Sequence, residues 1–320
     1  MQMKQATLLA TFALTAITAA PAQDYPTRPI RLLTPIAPGG GLDVIARIIA
    51  PPLTDSLGKP VVVDNRPGAS GAIAMDITAH SAPDGYTLAI FSVNQIIYSE
   101  LNKSNFDMFR DFAPVTQVSA APYVMAVTSQ LPANSVKELI AYAKANPDKI
   151  TYASSGIGTL QQLATELLSA RVGIKLVHVP YKGVGAAFPD MIAGRTHMTI
   201  SSASALAGLL RNKMLRALAV TTEQRIALLP DVPTMAESGL PGFVVTQWHG
   251  ILAPARTPAS IVNRLYKDIA AALKRPDVIA HLATDGTEPV GSTPQQFSAH
   301  MKAERAKWIQ AIKQAGINMQ

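Results

Sequence analysis

Two short runs of glycine and hydroxyl residues have the types and spacing to hold an anion. They are Ala37-Pro38-Gly39-Gly40-Gly41-Leu42-Asp43 and Tyr152-Ala153-Ser154-Ser155-Gly156-Ile157-Gly158-Thr159. Each follows an apolar stretch that reads as a strand and precedes one that reads as a helix. In the first run, successive glycines let the backbone approach a ligand and leave several N–H groups free. A helix N-terminus adds a partial positive charge. Such a cradle needs no basic side chain. Asp43 is placed to cap the helix by accepting backbone N–H groups. Taken alone, this loop reads equally as a tight turn with a cap and no ligand. In the second run, Ser154, Ser155 and Thr159 add hydroxyl donors beside Gly156 and Gly158. Ligands of open α/β sheets lie outside the carboxyl ends of strands. Two such loops, one per lobe, would face each other across a cleft and clamp one anionic group.

The enzyme templates fail. Gly58-Lys59 looks superficially like a P-loop, but Pro60 stands where Ser or Thr must hold magnesium, and the earlier glycine is absent. Gln161 occupies the place of the third glycine of a dinucleotide fingerprint. Ser56-Leu57-Gly58-Lys59 matches only a bare S-x-x-K, frequent by chance, and there is no G-x-S-x-G elbow. The histidines (His80, His178, His197, His249, His281, His300) show no H-x-x-x-H or H-E-x-x-H spacing, and the chain has no cysteine. No catalytic residue, metal ligand or cofactor is expected.

The frame for the loops is legible as an α/β alternation with mostly parallel strands. Pro29 to Ile36, Val61 to Val63 and Tyr86 to Phe91 read as strands, with helices over Leu42–Leu57 and Gly71–Ser81 between them. A second set has strands at Tyr123–Thr128, Thr151–Ala153, Leu176–Val179, His197–Ser201 and Leu215–Val220. Its helices are Ser135–Asn146 and about Thr159–Val172. Two further helices read over Pro258–Leu273 and Pro294–Ala315. With no flexible linker between the sets, strands crossing at Val118–Val124 and Val244–Leu252 are the expected connections.

Lys4, an apolar run from Ala6 to Ala20 and Ala20-Pro21-Ala22 read as a secretory signal peptide over residues 1–22, cleaved after Ala22. A membrane anchor is the other reading. Thr7, Thr11, Thr15 and Thr18 interrupt the run, which is short of the roughly 20 strongly apolar residues a span needs. Removing it leaves roughly 300 residues, beyond one core, so two lobes are expected. The 48% hydrophobic and 15% charged composition is that of a folded chain. The formal charge of +7 would steer anions or simply aid solubility. The basic residues are scattered without aromatic interleaving, so nucleic acid is not an expected partner.

An ordered series of further motifs resembles a known family. It comprises Tyr25-Pro26-Thr27-Arg28-Pro29-Ile30, Pro38-Gly39-Gly40 with Asp43, Val63-Asp64-Asn65-Arg66-Pro67-Gly68-Ala69 and Pro83-Asp84-Gly85-Tyr86-Thr87-Leu88. It continues with Asp111-Phe112-Ala113-Pro114-Val115, the Ser154–Thr159 loop, Val179-Pro180-Tyr181-Lys182-Gly183, Leu229-Pro230-Asp231-Val232-Pro233-Thr234, and Trp248 with Gly250. The series, in register from about Tyr25 to Ile317, resembles the substrate-binding receptors of tripartite tricarboxylate transporters, also called the Bug family.

The resemblance implies a periplasmic-binding-protein fold, type II-like, with two α/β lobes, crossover strands and Venus-flytrap closure. Lobe 1 is expected over 23–120 plus 247–320 and lobe 2 over 121–246. It implies a monomeric receptor that holds a small carboxylate, a di- or tricarboxylate or an aromatic acid, and passes it to the permease subunits of a tripartite tricarboxylate transporter. A sensor kinase is the alternative recipient, and an amino acid or neutral ring amide the alternative cargo. The ligand carboxylate is implied to meet Ala37, Pro38, Gly39, Gly40 and Asp43 on one side, and Ser154, Ser155, Gly156, Gly158 and Thr159 on the other. The loop Ser92–Gln95, with Ser92 and Asn94, is implied to line the cleft.

The sequence departs from relatives at Ser201-Ser202, where they often carry Phe-Asp. Ser202 then faces the ligand without a carboxylate, which disfavours an ammonium. Pro51-Pro52 interrupts the first helix, with a kink or early stop expected near Ala50. Lys182 reads as a turn or surface lysine, with a ligand carboxylate as the other reading, and Arg66 as a loop support, with a distal carboxylate as the other. Trp248 and His249 read as either cleft or core residues.

Overall fold

The computed structural model describes residues 25–284, 286–314 and 316. The expected signal segment lies outside them. β1 (Ile30–Thr34) leads to α1 (Gly41–Leu57), β2 (Val61–Asn65), α2 (Ala72–Ala79), β3 (Thr87–Ser92) and α3 (Val93–Leu101). Next come β4 (Phe112–Thr128), α4 (Val136–Ala145), β5 (Thr151–Ser154), α5 (Leu160–Val172) and β6 (Val177–Pro180). Then α6 (Phe188–Ile192), β7 (Met198–Ser202), α7 (Ala203–Arg211) and β8 (Leu215–Val220) follow. β9 (Thr246–Pro254), α8 (Ala259–Ala272), α9 (Pro276–Ala283), β10 (Glu288–Pro289) and α10 (Pro294–Gln314) complete the order.

The strands form one sheet in the order β2-β1-β3-β9-β4-β7-β5-β6, with β8 and β10 also paired to β4. The same motif occurs twice. β1 lies between β2 and β3, parallel to both, and β3 is followed by antiparallel β9. β5 lies between β6 and β7, parallel to both, and β7 is followed by antiparallel β4. β4 serves both halves: Phe112–Pro122 pair with β9, whereas Tyr123–Thr128 lie between β7 and β8. β1 and β5 are therefore the strands at which the order reverses in each half, and the loops leaving their carboxyl ends open at a topological switch point.

The central strands are covered on both faces, so they read as apolar runs rather than alternating patterns. Trp248, Phe91, Phe297 and Trp308 form the aromatic centre of the largest core cluster. Trp248 packs edge-on to Phe91 and Phe297, with centroids 5.4 and 5.7 Å apart, and its Nε1 donates to Glu304 at 2.9 Å. This resolves the open reading of Trp248 in favour of the core.

Three expectations need correction. The sheet is mixed rather than mostly parallel, because β9 runs antiparallel to β3 and β4, and β4 antiparallel to β7, β8 and β10. Of the kink or early stop expected near Ala50, the early stop does not occur: α1 runs through Pro51 and Pro52 to Leu57. Leu53 and Leu57 are buried with Ile45, Ala46 and Ile49 in one core cluster. The burial of those last turns outweighs the two missing backbone donors. Gly58, at φ 65°, then ends the helix with its N–H on the Thr54 carbonyl. Ser92–Gln95 is not a loop but the start of α3. The Ser92 side chain and backbone pair reciprocally with the third residue of the helix, Gln95, as a capping box.

Candidate functional site

The β1–α1 loop is braced by Asp43. Gly39 turns at φ 83°, Gly40 donates to the Ala37 carbonyl at 3.2 Å, and α1 begins after the extended Gly40. Asp43 is the third helical residue and is buried. One of its carboxylate oxygens accepts from the Gly39 N–H at 2.8 Å and Arg47 Nε at 2.9 Å; the other accepts from Asn65 Nδ2 at 2.8 Å. Asn65 Nδ2 also reaches the Ile36 carbonyl at 3.0 Å. Burial alone would raise the Asp43 carboxyl. The hydrogen bonds from Arg47, Gly39 and Asn65, with the Arg47 charge, instead hold it down at about 2. Asp43 thus faces the loop it supports. The N–H groups of Gly41, Leu42 and Asp43 have no carbonyl one turn earlier within the helix.

The β5–α5 loop spends its hydroxyl protons internally. Ser154 is buried, with Oγ 2.6 Å from His178 Nε2 and bonded to both the carbonyl and the N–H of Gly156. His178 stacks on Tyr152 at 4.8 Å, and burial lowers its pKa. Ser155 Oγ donates to Gln161 Oε1 at 2.9 Å, and Thr159 Oγ1 to the Gly156 carbonyl at 2.8 Å. Gly158 N–H donates to Gln162 Oε1 at 2.8 Å. The expected hydroxyl donors therefore shape the loop. Its outward features are Ile157, Gly158, Thr159 and the uncapped N-terminus of α5. In α3, Ser92 is likewise buried and occupied by the cap, whereas Asn94 is exposed.

A cavity of about 520 Å³ brings the two loops together. Pro35, Ile36 and Ala37 line it from the first loop; Asn94, Tyr98, Leu101 and Asn102 from α3; Ile157, Gly158 and Thr159 from the second. Pro67, Gly68, Ser70 and Gly71 complete a wall that sequence reasoning left out of the site. A smaller cavity of about 160 Å³ opens on the α1 side of the first loop, lined by Gly41, Val44, Ser202, Ser204, Gln247 and His249 among others. Pro38, Gly39 and Gly40 lie between the two, Pro38 and Gly39 exposed. Gly156 is half-buried behind Ile157.

No Lys, Arg, Asp or Glu side chain lines either cavity. Positive potential comes instead from helix starts. Residues at the N-termini of α1, α3, α5 and α7 (Gly41, Asn94, Thr159, Ser202) are all lining residues. Aligned peptide dipoles give each such end roughly half a positive charge.

Of the residues with open readings, His249 is buried and its Nδ1 lies 3.0 Å from Ser119 Oγ; burial pushes its pKa down to about 4. Lys182 is exposed, and Arg66 pairs with Asp64 at 3.1 Å. A cavity of about 560 Å³ between α7, β8 and residues 228–232 lies away from these strand ends. Among the described residues no group of three or more His, Asp or Glu is arranged to hold a metal ion, and no helix is long and apolar enough to cross a membrane.

Comparison with known proteins points the same way. A family model described as the tripartite tricarboxylate transporter family receptor matches residues 45–317. Protein BugT of Bordetella pertussis is 38% identical over 313 residues, which are 96% of this chain and 96% of that protein. The solved structure of R. palustris Rpa4515 with adipate is similar with a TM-score of 0.78 at 38% identity, covering 92% of this chain and 99% of that one. The structure of the periplasmic binding protein BugD is similar with a TM-score of 0.75 at 33% identity, covering 92% of this chain and 100% of that one.

Proposed function

The chain belongs to the tripartite tricarboxylate transporter receptor family, periplasmic solute-binding proteins and not enzymes, and from that premise we propose that it captures a small carboxylate and delivers it to the permease subunits of a tripartite tricarboxylate transporter. The observation that carries this reading is that two helix N-termini line each of the two cavities flanking the first loop, and that no Lys, Arg, Asp or Glu side chain lines either. Backbone N–H groups on a fixed scaffold suit a carboxylate, whose lone pairs accept several short hydrogen bonds at once. The similar adipate-bound structure supplies a precedent for an acid.

In this reading the ligand lies between lobe 1 (23–120 plus 247–320) and lobe 2 (121–246), which close about β4 and β9. The Ala37–Gly40 loop, Asn94, Gly156, Gly158, Thr159 and Ser202 face it, while Asp43, Ser92, Ser154 and Ser155 hold the loops in shape. Closure expels water and strengthens each hydrogen bond to the anion. The chain acts as a monomer, exported by a signal peptide cleaved after Ala22.

The test is a thermal-shift screen against carboxylates, amino acids and ring amides, on protein first unfolded and refolded to strip any carried ligand. A ligand at 100 times its Kd stabilises by ~2.7 kcal/mol, a shift of several degrees for a chain this size. A shift confined to carboxylates supports the proposal. A shift confined to neutral amides, or none across the panel, removes it.

A further inference from the structure

Ile157 is 75% exposed, more than any other large apolar side chain among the described residues. An exposed aliphatic side chain alone means little. Two further observations distinguish this one. First, its backbone is fixed: it stands between Gly156 at φ 134° and Gly158 at φ 74°, whose N–H groups are bonded to Ser154 Oγ at 3.1 Å and Gln162 Oε1 at 2.8 Å. A β-branched side chain on such a frame has little freedom left to lose. Second, it lines the larger cavity opposite an apolar wall on α3 formed by Tyr98 and Leu101, with Pro35 beside them. The approach is close: a Cβ added at Gly158 would lie 2.9 Å from Leu101 Cδ1.

We infer that the ligand of this cavity is a carboxylate with an apolar body, and that Ile157 selects for that body by closing over it. The inference rests on the carboxylate reading above and adds the chemistry of the rest of the molecule. The carboxylate sits at the helix N-termini, and the carbon skeleton lies between Ile157 and the Tyr98–Leu101 wall. Hydroxyl groups set against Ile157, Leu101 and Pro35 would lose their hydration without gaining a partner on those side chains. A tricarboxylate would bring three charges to a lining without a cation.

Calorimetric titration of the refolded protein compares adipate, hexanoate and benzoate with galactarate, malate and citrate. Adipate and galactarate share one chain length and differ only in hydroxyl groups. The apolar set is expected to bind at least about tenfold more tightly. Ile157→Ser should weaken the apolar set by about tenfold and leave the hydroxylated set within about twofold, and Ile157→Val should retain most of the affinity. Because the side chain is exposed, neither variant threatens the fold. Galactarate binding as tightly as adipate, or an Ile157→Ser variant without effect on adipate, overturns the inference and leaves the carboxylate reading standing. If no acid of either set binds, the carboxylate reading falls and the inference with it.

Discussion

Asp43 places a carboxylate within the first turn of α1, the same end that is proposed to receive a ligand anion. The two are compatible because Arg47 offsets the Asp43 charge, and the Gly39 N–H and the Asn65 amide occupy its oxygens. The consequence is a pH signature. The folded pKa of about 2 lies below the ordinary value of 3.8, so the unfolded chain binds the proton first. Asp43 then contributes stability that is complete above pH 4 and is lost as pH falls through about 2. Discounted for the exposure of Arg47, the contribution is on the order of 1–2 kcal/mol. Asp43→Asn should lower stability by that amount at pH 7 and flatten the acid limb of a denaturation series between pH 4 and 2. An unchanged acid limb would mean that Asp43 does not brace the loop. The glycines make a sharper pair. Gly39→Val has open space for its side chain but keeps φ 83°, so it strains the backbone alone; Gly158→Val is strained and also meets Leu101. Both should weaken ligand binding, Gly158→Val more, and unchanged affinity in both variants would refute the two-loop clamp. The placing of both glycine runs at strand-to-helix junctions was readable from the apolar stretches on either side of each. The fate of the hydroxyl groups was not, because Gln161, Gln162 and His178 claim them only once α5 and β6 are in place.

At the level of elements, α1 shows tertiary packing overriding local propensity. A proline inside a helix removes one backbone hydrogen bond and crowds the carbonyl one turn back, costing roughly 3 kcal/mol. Two in succession led to the expectation of a kink or an early stop. The chain continues because Leu53 and Leu57, beyond the prolines, are buried against the sheet. Pro51 is exposed, so it contributes no packing in return. Pro51→Ala should therefore stabilise the protein. The gain is reduced by about 0.4–1 kcal/mol because alanine frees the unfolded chain, leaving about 2–2.6 kcal/mol. A chemical denaturation midpoint that falls instead would show that Pro51 is matched to its backbone and that α1 gains nothing from the restored donor. α3 was missed for another reason. Ser92 and Gln95 carry the spacing of a capping box, but the run follows β3 directly, leaving no turn residues to mark a boundary. α7 and α9, at 9 and 8 residues, are too short for their periodicity to stand out.

For the molecule as a whole, the two halves of the sheet are joined through β4 and β9, and both strands run deep in the core. The alternation of strands and helices was legible in the sequence, as was the region Val118–Val124 where β4 changes partners. What the sequence could not show is that this crossing carries a buried imidazole. His249 pairs with Ser119 across β4 and β9 and lines the smaller cavity, and burial pushes its pKa down to about 4. In the unfolded chain it titrates near its ordinary 6.5. Between those values the unfolded state binds the extra proton, so stability is complete above pH 6.5 and is lost as pH falls towards 4. The slope is about 1.4 kcal/mol per pH unit and the total about 3 kcal/mol at most. His178 and His197 are also lowered by burial and act in the same direction, whereas Asp43 titrates below this window. The contribution of His249 is therefore isolated by difference. Denaturation midpoints at pH 7.5, 5.5 and 4.5, without ligand, should fall more steeply with acid in the wild type than in His249→Gln, because glutamine keeps a polar partner for Ser119 but takes up no proton. Parallel curves would place the acid sensitivity elsewhere. A steeper wild-type loss would show that the joint between the halves is held by a histidine that must stay neutral, and that acidification loosens the molecule at the strands about which its lobes are proposed to close.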